Sequence, residues 1–265
     1  MVEISVIMGV YNCKDKECLE KSVNSIINQT FKAWEFIICN DGSTDDTIDF
    51  LHKLEKKDSR IKIISYKKNR GLSYALNECI KEAKGRYIAR QDDDDESYED
   101  RLQIQYDFLE HHSEYDMVGS VADVYDDNGV WGEFKVDEFV SKKSFLWTCP
   151  FLHPTVVVRK ETFENCGLYR VAKETRRCED YDLFMRMYAN EIRGYNIQKK
   201  LYKYRIENSN KKYRPMKYRV DEFRVRMKGF YNLKLMPLGI IFAFKPIIIG
   251  LIPQFLFKYI RKKQY

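Results

Sequence analysis

The chain has 265 residues, 44% apolar and 14% aromatic, which is enough to bury a sizeable core and excludes wholesale disorder. Its 46 Lys and Arg are nearly balanced by 40 Asp and Glu, which excludes a histone-like protein and an acidic tail. Seven scattered cysteines form no C-x-x-C pair and no zinc pattern with His, which indicates reduced thiols. We expect one main domain with an appendage.

The first hundred residues alternate short β-branched runs with amphipathic helical patterns. Strands are predicted at Ile4–Val10, Trp34–Asn40, Ile61–Tyr66 and Arg86–Gln91. Helices are predicted between them at Glu17–Asn28, Thr44–Lys56 and Leu72–Ala83. These βα steps predict a mainly parallel sheet flanked by helices, with ligands bound beyond the carboxyl ends of the strands. The N-terminal residues form an apolar strand without a basic leader, so we expect no signal peptide and a cytoplasmic domain.

The second half shows shorter, less regular patterns. Helices are predicted at Glu99–His111, Val136–Leu146 and Asp180–Ala189, and strands at Met117–Val124, Val130–Phe134 and Thr155–Arg159. Residues 199–228 then hold 12 Lys and Arg against 3 Asp and Glu, a local charge of +9.

The apolar segment behind this basic tract is a poor spanning helix. Lys245 and three prolines interrupt it, leaving unbroken pieces of 10 and 12 residues at Leu235–Phe244 and Pro246–Phe257. A kinked helix pair in the membrane interface, with basic residues against anionic headgroups, fits this pattern. The alternatives are a hairpin packed on the sheet or in a dimer, and a basic tract for nucleic acid, for which no recognition motif is present.

Four adjacent carboxylates, Asp92 to Asp95, follow the fourth predicted strand and would repel one another unless a cation neutralised them. Hard oxygen ligands favour Mg²⁺ or Mn²⁺, with phosphate oxygens completing the shell. Alternation along an extended segment predicts that Asp92 and Asp94 point the same way. The alternative is a solvated acidic turn that caps the following helix.

Several blocks of the sequence, in this order and spacing, resemble family-2 glycosyltransferases of the GT-A fold. They are Ile4–Asn12, Asn40–Thr47, Asn69–Asn77, Asp92–Asp95, His153–Thr155 and Glu179–Leu183, and the resemblance extends to about residue 205. It implies a Rossmann-like nucleotide-diphospho-sugar transferase sheet. Gly9 and Asn40 depart from the family's more common residues, but neither removes a ligand.

The resemblance also implies roles for individual residues. The donor nucleotide would contact Val10, Tyr11, Asn12, Asp41, Arg70, Asp92, Asp93 and His153. Within that set, Asp41 resembles the aspartate that accepts the imide N–H of uracil or thymine. Asp94 resembles the metal ligand of the D-x-D motif, and Asp180, beside Glu179, resembles the catalytic base. Structural alternatives stay open: turn formation for Asp41, a packed imidazole for His153 and helix capping for the acidic pair.

Together these features predict an inverting, metal-dependent glycosyltransferase that moves one sugar from a nucleotide-diphosphate donor, with UDP-sugar expected first. The acceptor would be a glycan hydroxyl, on a polyprenyl-diphosphate carrier, in capsule, exopolysaccharide or O-antigen synthesis. No Gln-x-x-Arg-Trp segment follows the acidic pair, which favours single transfer over polymer synthesis. Two alternative functions remain. One is a sugar-phosphate nucleotidyltransferase, although this sequence lacks the Gly-rich basic loop expected of such an enzyme after the first strand. The other is a non-catalytic nucleotide-binding membrane scaffold.

The predicted organisation is a catalytic domain at residues 1–205 and a basic, apolar helical extension at 206–265. Residues 1–95 form the nucleotide-binding half of that domain, and 96–205 the acceptor-binding half. The extension would attach the protein peripherally to the inner face of the cell membrane.

Overall fold

The computed structural model describes residues 1–206 and 214–252. Its N-terminal half contains four parallel strands in the spatial order β3-β2-β1-β4. These are β1 Ile4–Val10, β2 Trp34–Asn40, β3 Ile61–Ser65 and β4 Tyr87–Arg90. They alternate with α1 Lys16–Ile27, α2 Thr47–Glu55 and α3 Leu72–Glu82. The predicted βα steps are confirmed, with small differences at the element ends.

The sheet is buried on both faces because apolar side chains occupy both sides of each central strand. In β1, Val6 and Met8 belong to one apolar cluster and Ile7 to the other. The first cluster includes Leu19 of α1, and the second includes Leu76 of α3. Strands covered on both faces read as continuous apolar runs, which is why β1 and β2 could be bounded from sequence.

The second half extends the same sheet with mostly antiparallel pairs, in the order β4-β8-β6-β9-β5, with β7 paired to β6. The strands are β5 Glu96–Ser97, β6 Met117–Asp126, β7 Gly129–Phe134, β8 Val157–Arg159 and β9 Gly194–Arg205. The helices are α4 Arg101–His111, α5 Lys160–Cys166 and α6 Glu179–Ala189. Strand β9 runs parallel to β6.

The helix predicted over Val136–Leu146 is mostly wrong. Phe139 instead forms an antiparallel bridge with Tyr195, and only a 3-10 helix at Lys142–Leu146 remains. The side chains of Ser141 and Ser144 exchange hydrogen bonds with each other's backbone and start that short turn. The expected alternation of Asp92 and Asp94 is also wrong, because β4 ends at Arg90 and residues 93–94 form a turn.

The C-terminal extension forms α7 Met216–Asn232, α8 Leu238–Ala243 and α9 Lys245–Leu251. Phe230 and Leu233 are buried in the cluster that contains Phe184 of α6. Burial of such side chains stabilises by about 1.5–3 kcal/mol each, so α7 is held firmly on the sheet domain. The predicted boundary after residue 205 adjoins residues outside the description and stays a prediction. None of the helices in 1–206 and 214–252 has both the length and the apolar content needed to cross a bilayer.

Candidate active site

The loops after β1 and β2 are joined at the carboxyl edge of the sheet. The backbone N–H of Asn12 donates to Ser43 Oγ at 3.0 Å, and Asn12 Oδ1 accepts from the Thr44 N–H at 2.9 Å. Tyr11 is 48% exposed beside this junction, so its ring is accessible to a planar ligand. Val10 is buried in the core, so a ligand would meet its backbone and not its side chain.

Asp41 is buried and holds the loop after β3 in place. Its Oδ1 accepts from the Tyr66 hydroxyl at 2.6 Å and the Arg70 N–H at 2.8 Å. Its Oδ2 accepts from Asn69 Nδ2 at 2.9 Å and the Gly71 N–H at 2.8 Å. A carboxylate offers about four acceptor sites, so a nucleobase N–H would have to displace one of these donors. The contact of Asp41 with a base therefore stays a prediction.

Arg70 is exposed and directed by two tyrosines. Its guanidinium lies 4.6 Å from the Tyr74 ring centroid and donates to the Tyr74 hydroxyl at 2.7 Å. Arg70 also lines a cavity of about 230 Å³ with Lys173, Arg176 and Glu179. The loop after β3 and the start of α6 therefore border one space.

The acid run after β4 divides into two anchored and two available carboxylates. Asp92 forms an ion pair with the buried Arg90, and Asp95 Oδ1 accepts from the Arg205 N–H at 2.7 Å. In the described part of the chain, Asp93 and Asp94 have no ion-pair partner. Burial and repulsion from Asp94 and Asp92 raise the pKa of Asp93 to about 7. Burial and repulsion from Asp92 raise the pKa of Asp94 to about 6, a shift that its exposure to solvent moderates.

The available pair suits a divalent cation. Two crowded oxygen donors with raised pKa values have no ion-pair partner among the described residues, and a hard cation would neutralise them. Across residues 1–206 and 214–252, no group of three or more His, Cys, Asp or Glu side chains is arranged to hold a metal alone. A cation here would therefore share its shell with phosphate or water oxygens, as Mg²⁺ commonly does.

The acidic pair begins α6, and both side chains are half-buried. Burial and repulsion from Asp180 raise the pKa of Glu179 to about 7, and burial raises the pKa of Asp180. Asp180 Oδ1 accepts from the Tyr181 N–H at 2.8 Å, and Cys178 occupies the N-cap position without a side-chain cap. A carboxylate with a raised pKa is a better proton acceptor than an ordinary one.

His153 is paired with Tyr169 and lies near Arg90. Its Nε2 is 2.7 Å from the Tyr169 hydroxyl, and burial with the nearby Arg90 charge lowers its pKa well below its usual value. Burial raises the pKa of Tyr169, as do the charges of Asp180, Glu179 and Asp92. Charges of both acidic groups therefore act on Tyr169, and the His153–Tyr169 pair stays neutral at physiological pH.

Sequence reasoning missed several of the residues that build this crevice. Arg90 and Tyr169 belong to it, and neither stands in a motif. Arg186 forms an ion pair with Asp182 at 3.0 Å, and Arg170 forms one with Asp182 at 2.9 Å. These ion pairs anchor the first turn of α6. Only the i,i+4 spacing of Asp182 and Arg186 could have indicated them.

A larger cavity of about 590 Å³ is bordered by Cys149. It is lined by Glu133 to Asp137, Ser144 and Trp147 to Pro150. The Cys149 thiol lies beside Asp180, since burial and the Asp180 charge raise the pKa of that thiol. Trp147 is 62% exposed at the cavity wall, a position in which an aromatic face can pack on a sugar ring.

Comparison with known proteins gives consistent matches. The family model described as Glycosyl transferase family 2 matches residues 5–167. EpsE of Bacillus subtilis (strain 168), named as a glycosyltransferase, is 37% identical over 263 residues, which is 99% of this chain and 94% of EpsE. WfaP of Escherichia coli is 32% identical over 203 residues, 77% of each chain. Its name is UDP-Glc:alpha-D-GlcNAc-diphosphoundecaprenol beta-1,3-glucosyltransferase.

Solved structures share the fold. S. aureus TarS in complex with UDP-GlcNAc has a TM-score of 0.72 at 19% identity, covering 92% of this chain and 73% of that chain. The mannosyltransferase PcManGT from Pyrobaculum calidifontis, in complex with GDP-Man and Mn²⁺, has a TM-score of 0.65 at 13% identity. That match covers 98% of this chain and 79% of PcManGT. The fold class predicted from the sequence is confirmed.

Proposed function

The chain belongs to glycosyltransferase family 2, and we propose that it is an inverting, metal-dependent enzyme that transfers a single sugar. The donor is a nucleotide-diphosphate sugar, with UDP as the first choice, and the acceptor is a hydroxyl of a lipid-linked glycan. The observation that supports this best is that charges of the acid run (Asp92) and of the acidic pair (Glu179 and Asp180) both act on Tyr169, whose hydroxyl lies 2.7 Å from His153 Nε2. The acid run suits the binding of a diphosphate with its cation, and the acidic pair suits a proton transfer.

The proton transfer is assigned to Asp180. Its Oδ atoms accept the proton of the acceptor hydroxyl while that oxygen attacks the anomeric carbon from the face opposite the diphosphate. Attack from the opposite face inverts the anomeric configuration. Burial raises the pKa of Asp180, so the carboxylate binds the transferred proton more strongly than an exposed aspartate would. Glu179 lines the neighbouring cavity with Arg70, where it can orient the donor sugar.

The donor nucleotide is assigned to the crevice above β1, β2 and β4. Tyr11 offers an aromatic face, Asn12 and Asp92 border the ribose, and Arg70 reaches the base or the phosphates. Asp93 and Asp94 would hold Mn²⁺ or Mg²⁺, which when bound neutralises charge on the diphosphate leaving group. His153, neutral and bonded to Tyr169, can accept or donate one hydrogen bond beside the diphosphate without adding charge.

A donor screen tests this assignment. The full chain is incubated with UDP-, GDP- and dTDP-sugars with Mn²⁺ and with EDTA, and release of the nucleoside diphosphate is measured. We expect one nucleotide class to be hydrolysed slowly with Mn²⁺ and not with EDTA. No release from any donor, together with no thermal shift on adding nucleotide, would contradict the transferase and favour a non-catalytic scaffold.

A lipid-linked acceptor is favoured by an outward-facing apolar surface on the C-terminal extension. Gly239 and Gly250 face inward, where an added Cβ would lie 2.8 Å from Phe230 Cβ and 2.5 Å from Arg219 Cδ. Several large apolar side chains of α8, of α9 and of the residue between them are exposed to solvent instead. The exposed members are Leu238, Ile240, Ile241, Phe244, Ile248 and Leu251, and we call them the apolar face. Contiguous apolar surface of this kind is typical of membrane or protein contact.

The occupant we propose for the apolar face is the cytoplasmic leaflet of the cell membrane, to which the protein attaches peripherally. After α9 the sequence contains the apolar run Phe255–Phe257, then Tyr259 and Ile260, and then Arg261, Lys262 and Lys263, a sequence suited to a bilayer interface. The basic tract contributes less to membrane binding than its charge suggests, because several of its side chains form ion pairs within the protein. These pairs include Lys200–Asp123, Arg205–Asp127, Arg214–Glu222 and Arg226–Glu222.

Vesicle flotation tests the apolar face. We expect the full chain to float with vesicles of phosphatidylcholine and phosphatidylglycerol, and Ile241→Glu to lower the bound fraction at least about tenfold. Burying one large aliphatic side chain contributes about 1.5–3 kcal/mol, which the substitution removes. Val130→Glu is the matched control, because Val130 is 58% exposed and Ile241 70%. Equal flotation of the three proteins would contradict the membrane assignment and favour a protein contact.

A further inference from the structure

An ion triad formed by Arg214, which precedes α7, and by Glu222 and Arg226 of α7 lies near the acidic pair of α6. Glu222 accepts from Arg214 Nη1 at 2.6 Å and from Arg226 at 2.9 Å. The exposed fraction is 13% for the Glu222 side chain, 27% for Arg214 and 5% for Arg226. Buried ion pairs contribute little net stability compared with apolar packing, so their value is often positional. Both arginines also contact residues other than Glu222.

The two arginines reach the two backbone segments that border Asp180. Arg214 Nη2 donates to the carbonyl of Arg177 at 3.1 Å, and Arg177 has a φ of +64° three residues before Asp180. Arg226 Nη1 donates to the carbonyl of Leu146 at 3.2 Å, and its guanidinium lies 4.9 Å from the ring centroid of Tyr181. The triad therefore contacts the approach to α6 and the residue that follows Asp180.

The cavity wall is held from the same side. Arg226 Nη2 lies 3.5 Å from the Trp147 carbonyl, and Lys245 of α9 donates to that carbonyl at 2.7 Å. Lys245 Nζ also lies 3.9 Å from the Trp147 ring centroid. Cys149 follows Trp147 by two residues, and its thiol lies beside Asp180. Both walls around Asp180 are thus fastened to the C-terminal extension.

We propose that the Arg214–Glu222–Arg226 triad is a positioning element of the active site, supplied by the C-terminal extension. It holds the carbonyls of Arg177 and Leu146 and the ring of Tyr181, and it sets the charge around the Asp180 carboxylate. The sheet domain alone, ending near residue 205, is then an incomplete enzyme. This inference depends on the proposed function, because it takes Asp180 as the base.

The charges of the triad act on Asp180 in opposite directions. Burial raises the pKa of Asp180; among the side chains of the triad, Glu222 raises it and Arg214 lowers it. The remaining titratable groups that face Asp180 are Glu179 and Cys178 at the start of α6, Cys149 at the cavity wall, and Tyr169 and Tyr181. Removing one charged member of the triad should therefore shift the pKa of Asp180, in a direction set by the sign of the charge removed.

The pH profile of kcat separates positioning from a merely structural role. With Asp180 as base, kcat rises with pH as the carboxylate loses its proton. We expect Arg214→Gln to move the midpoint of this rise to higher pH and Glu222→Gln to move it to lower pH, with kcat at the plateau about three- to tenfold lower. Arg214→Lys should restore the midpoint. Arg224→Gln is the matched control, since Arg224 is 66% exposed and pairs with Asp221 away from the triad.

Three outcomes would overturn the inference: midpoints unchanged in both variants, both shifted the same way, or an equal shift in Arg224→Gln. If Glu222→Gln does not fold, the inference is still tested at the partly exposed Arg214, by comparing the midpoints of the pH profiles of kcat for Arg214→Gln and Arg214→Lys. Asp180→Asn keeps this result separate from the proposed function. Full activity of Asp180→Asn would overturn the function itself, whereas an inactive Asp180→Asn with unshifted triad variants would overturn only the positioning role.

Discussion

Asp180→Asn is expected to lower kcat about 10³-fold while the donor still binds. General base catalysis contributes about 10²- to 10⁴-fold, and an amide cannot accept the proton of the attacking hydroxyl. Asparagine keeps the size of the side chain and can still accept the N–H of Tyr181 at Oδ1, so the start of α6 should remain intact. The measurements are steady-state kcat with a sugar donor and acceptor, and donor affinity by calorimetry.

Glu179→Gln is the control with the same chemical change at the neighbouring position. Glu179 lines the cavity with Arg70 and does not carry the proton in the proposed mechanism, so a smaller loss of kcat and a larger change of KM are expected. Equal 10³-fold losses of kcat in both variants would indicate that the two carboxyl groups act together as the base. A loss in Glu179→Gln alone would move the base from Asp180 to Glu179.

The nucleotide-binding half of the fold could be predicted closely because its signal is local. Each of the first strands is an apolar run covered on both faces, and each intervening helix repeats apolar residues at three- and four-residue spacing. The ends were less certain: α2 begins at Thr47 and not at Thr44, since the Asn12 side chain holds the Thr44 N–H in the loop. Tertiary hydrogen bonds of this kind have no sequence periodicity.

The second half was harder because its strands pair over long distances and are partly exposed. Strand β9 spans Gly194–Arg205 and was not predicted, since its exposed Gln198, Lys199 and Lys200 mask any alternation. The segment 136–140 has helical spacing, but Phe139 within it forms an antiparallel bridge with Tyr195. In both places the partner strand decides the conformation, and one sequence does not reveal the partner.

The predicted site residues came from motifs, whereas their surroundings came from the fold. Asp94 and Asp180 stand in recognisable blocks, but Arg90, Tyr169 and Cys149 surround them from three separate segments. The basic tract shows the same limit: its charge was read as free for lipid headgroups, yet Arg214 and Arg226 are committed to Glu222. Counting charges along a chain does not show which of them are neutralised inside the protein.

Asp93 and Asp94 allow a matched pair of substitutions with different expected outcomes. Asp94→Asn should lower metal-dependent turnover at least about 100-fold, because stabilising charge on a leaving group by a cation contributes several kcal/mol. Asp93→Asn should raise the free energy of unfolding of the metal-free protein at pH 8 by about 2 kcal/mol. The pKa of Asp93 is about 7 in the folded chain against 3.8 as its ordinary value, and solvent at the half-buried side chain reduces the full electrostatic cost.

The sign of the pH dependence follows from that raised pKa. The folded state binds the Asp93 proton more tightly, so the contribution of Asp93 to stability is complete below about pH 4 and is lost as the pH rises through 7. The gain from Asp93→Asn should therefore be present at pH 8 and absent below pH 4, as measured by denaturant unfolding with EDTA. Mn²⁺ should stabilise the parent chain at pH 8 and progressively less toward pH 5.5, because protonated carboxyls are poor ligands. A gain from Asp93→Asn that is equal at both pH values, or turnover by Asp94→Asn equal to that of the parent chain, would contradict the assignment of this pair to a cation and a diphosphate.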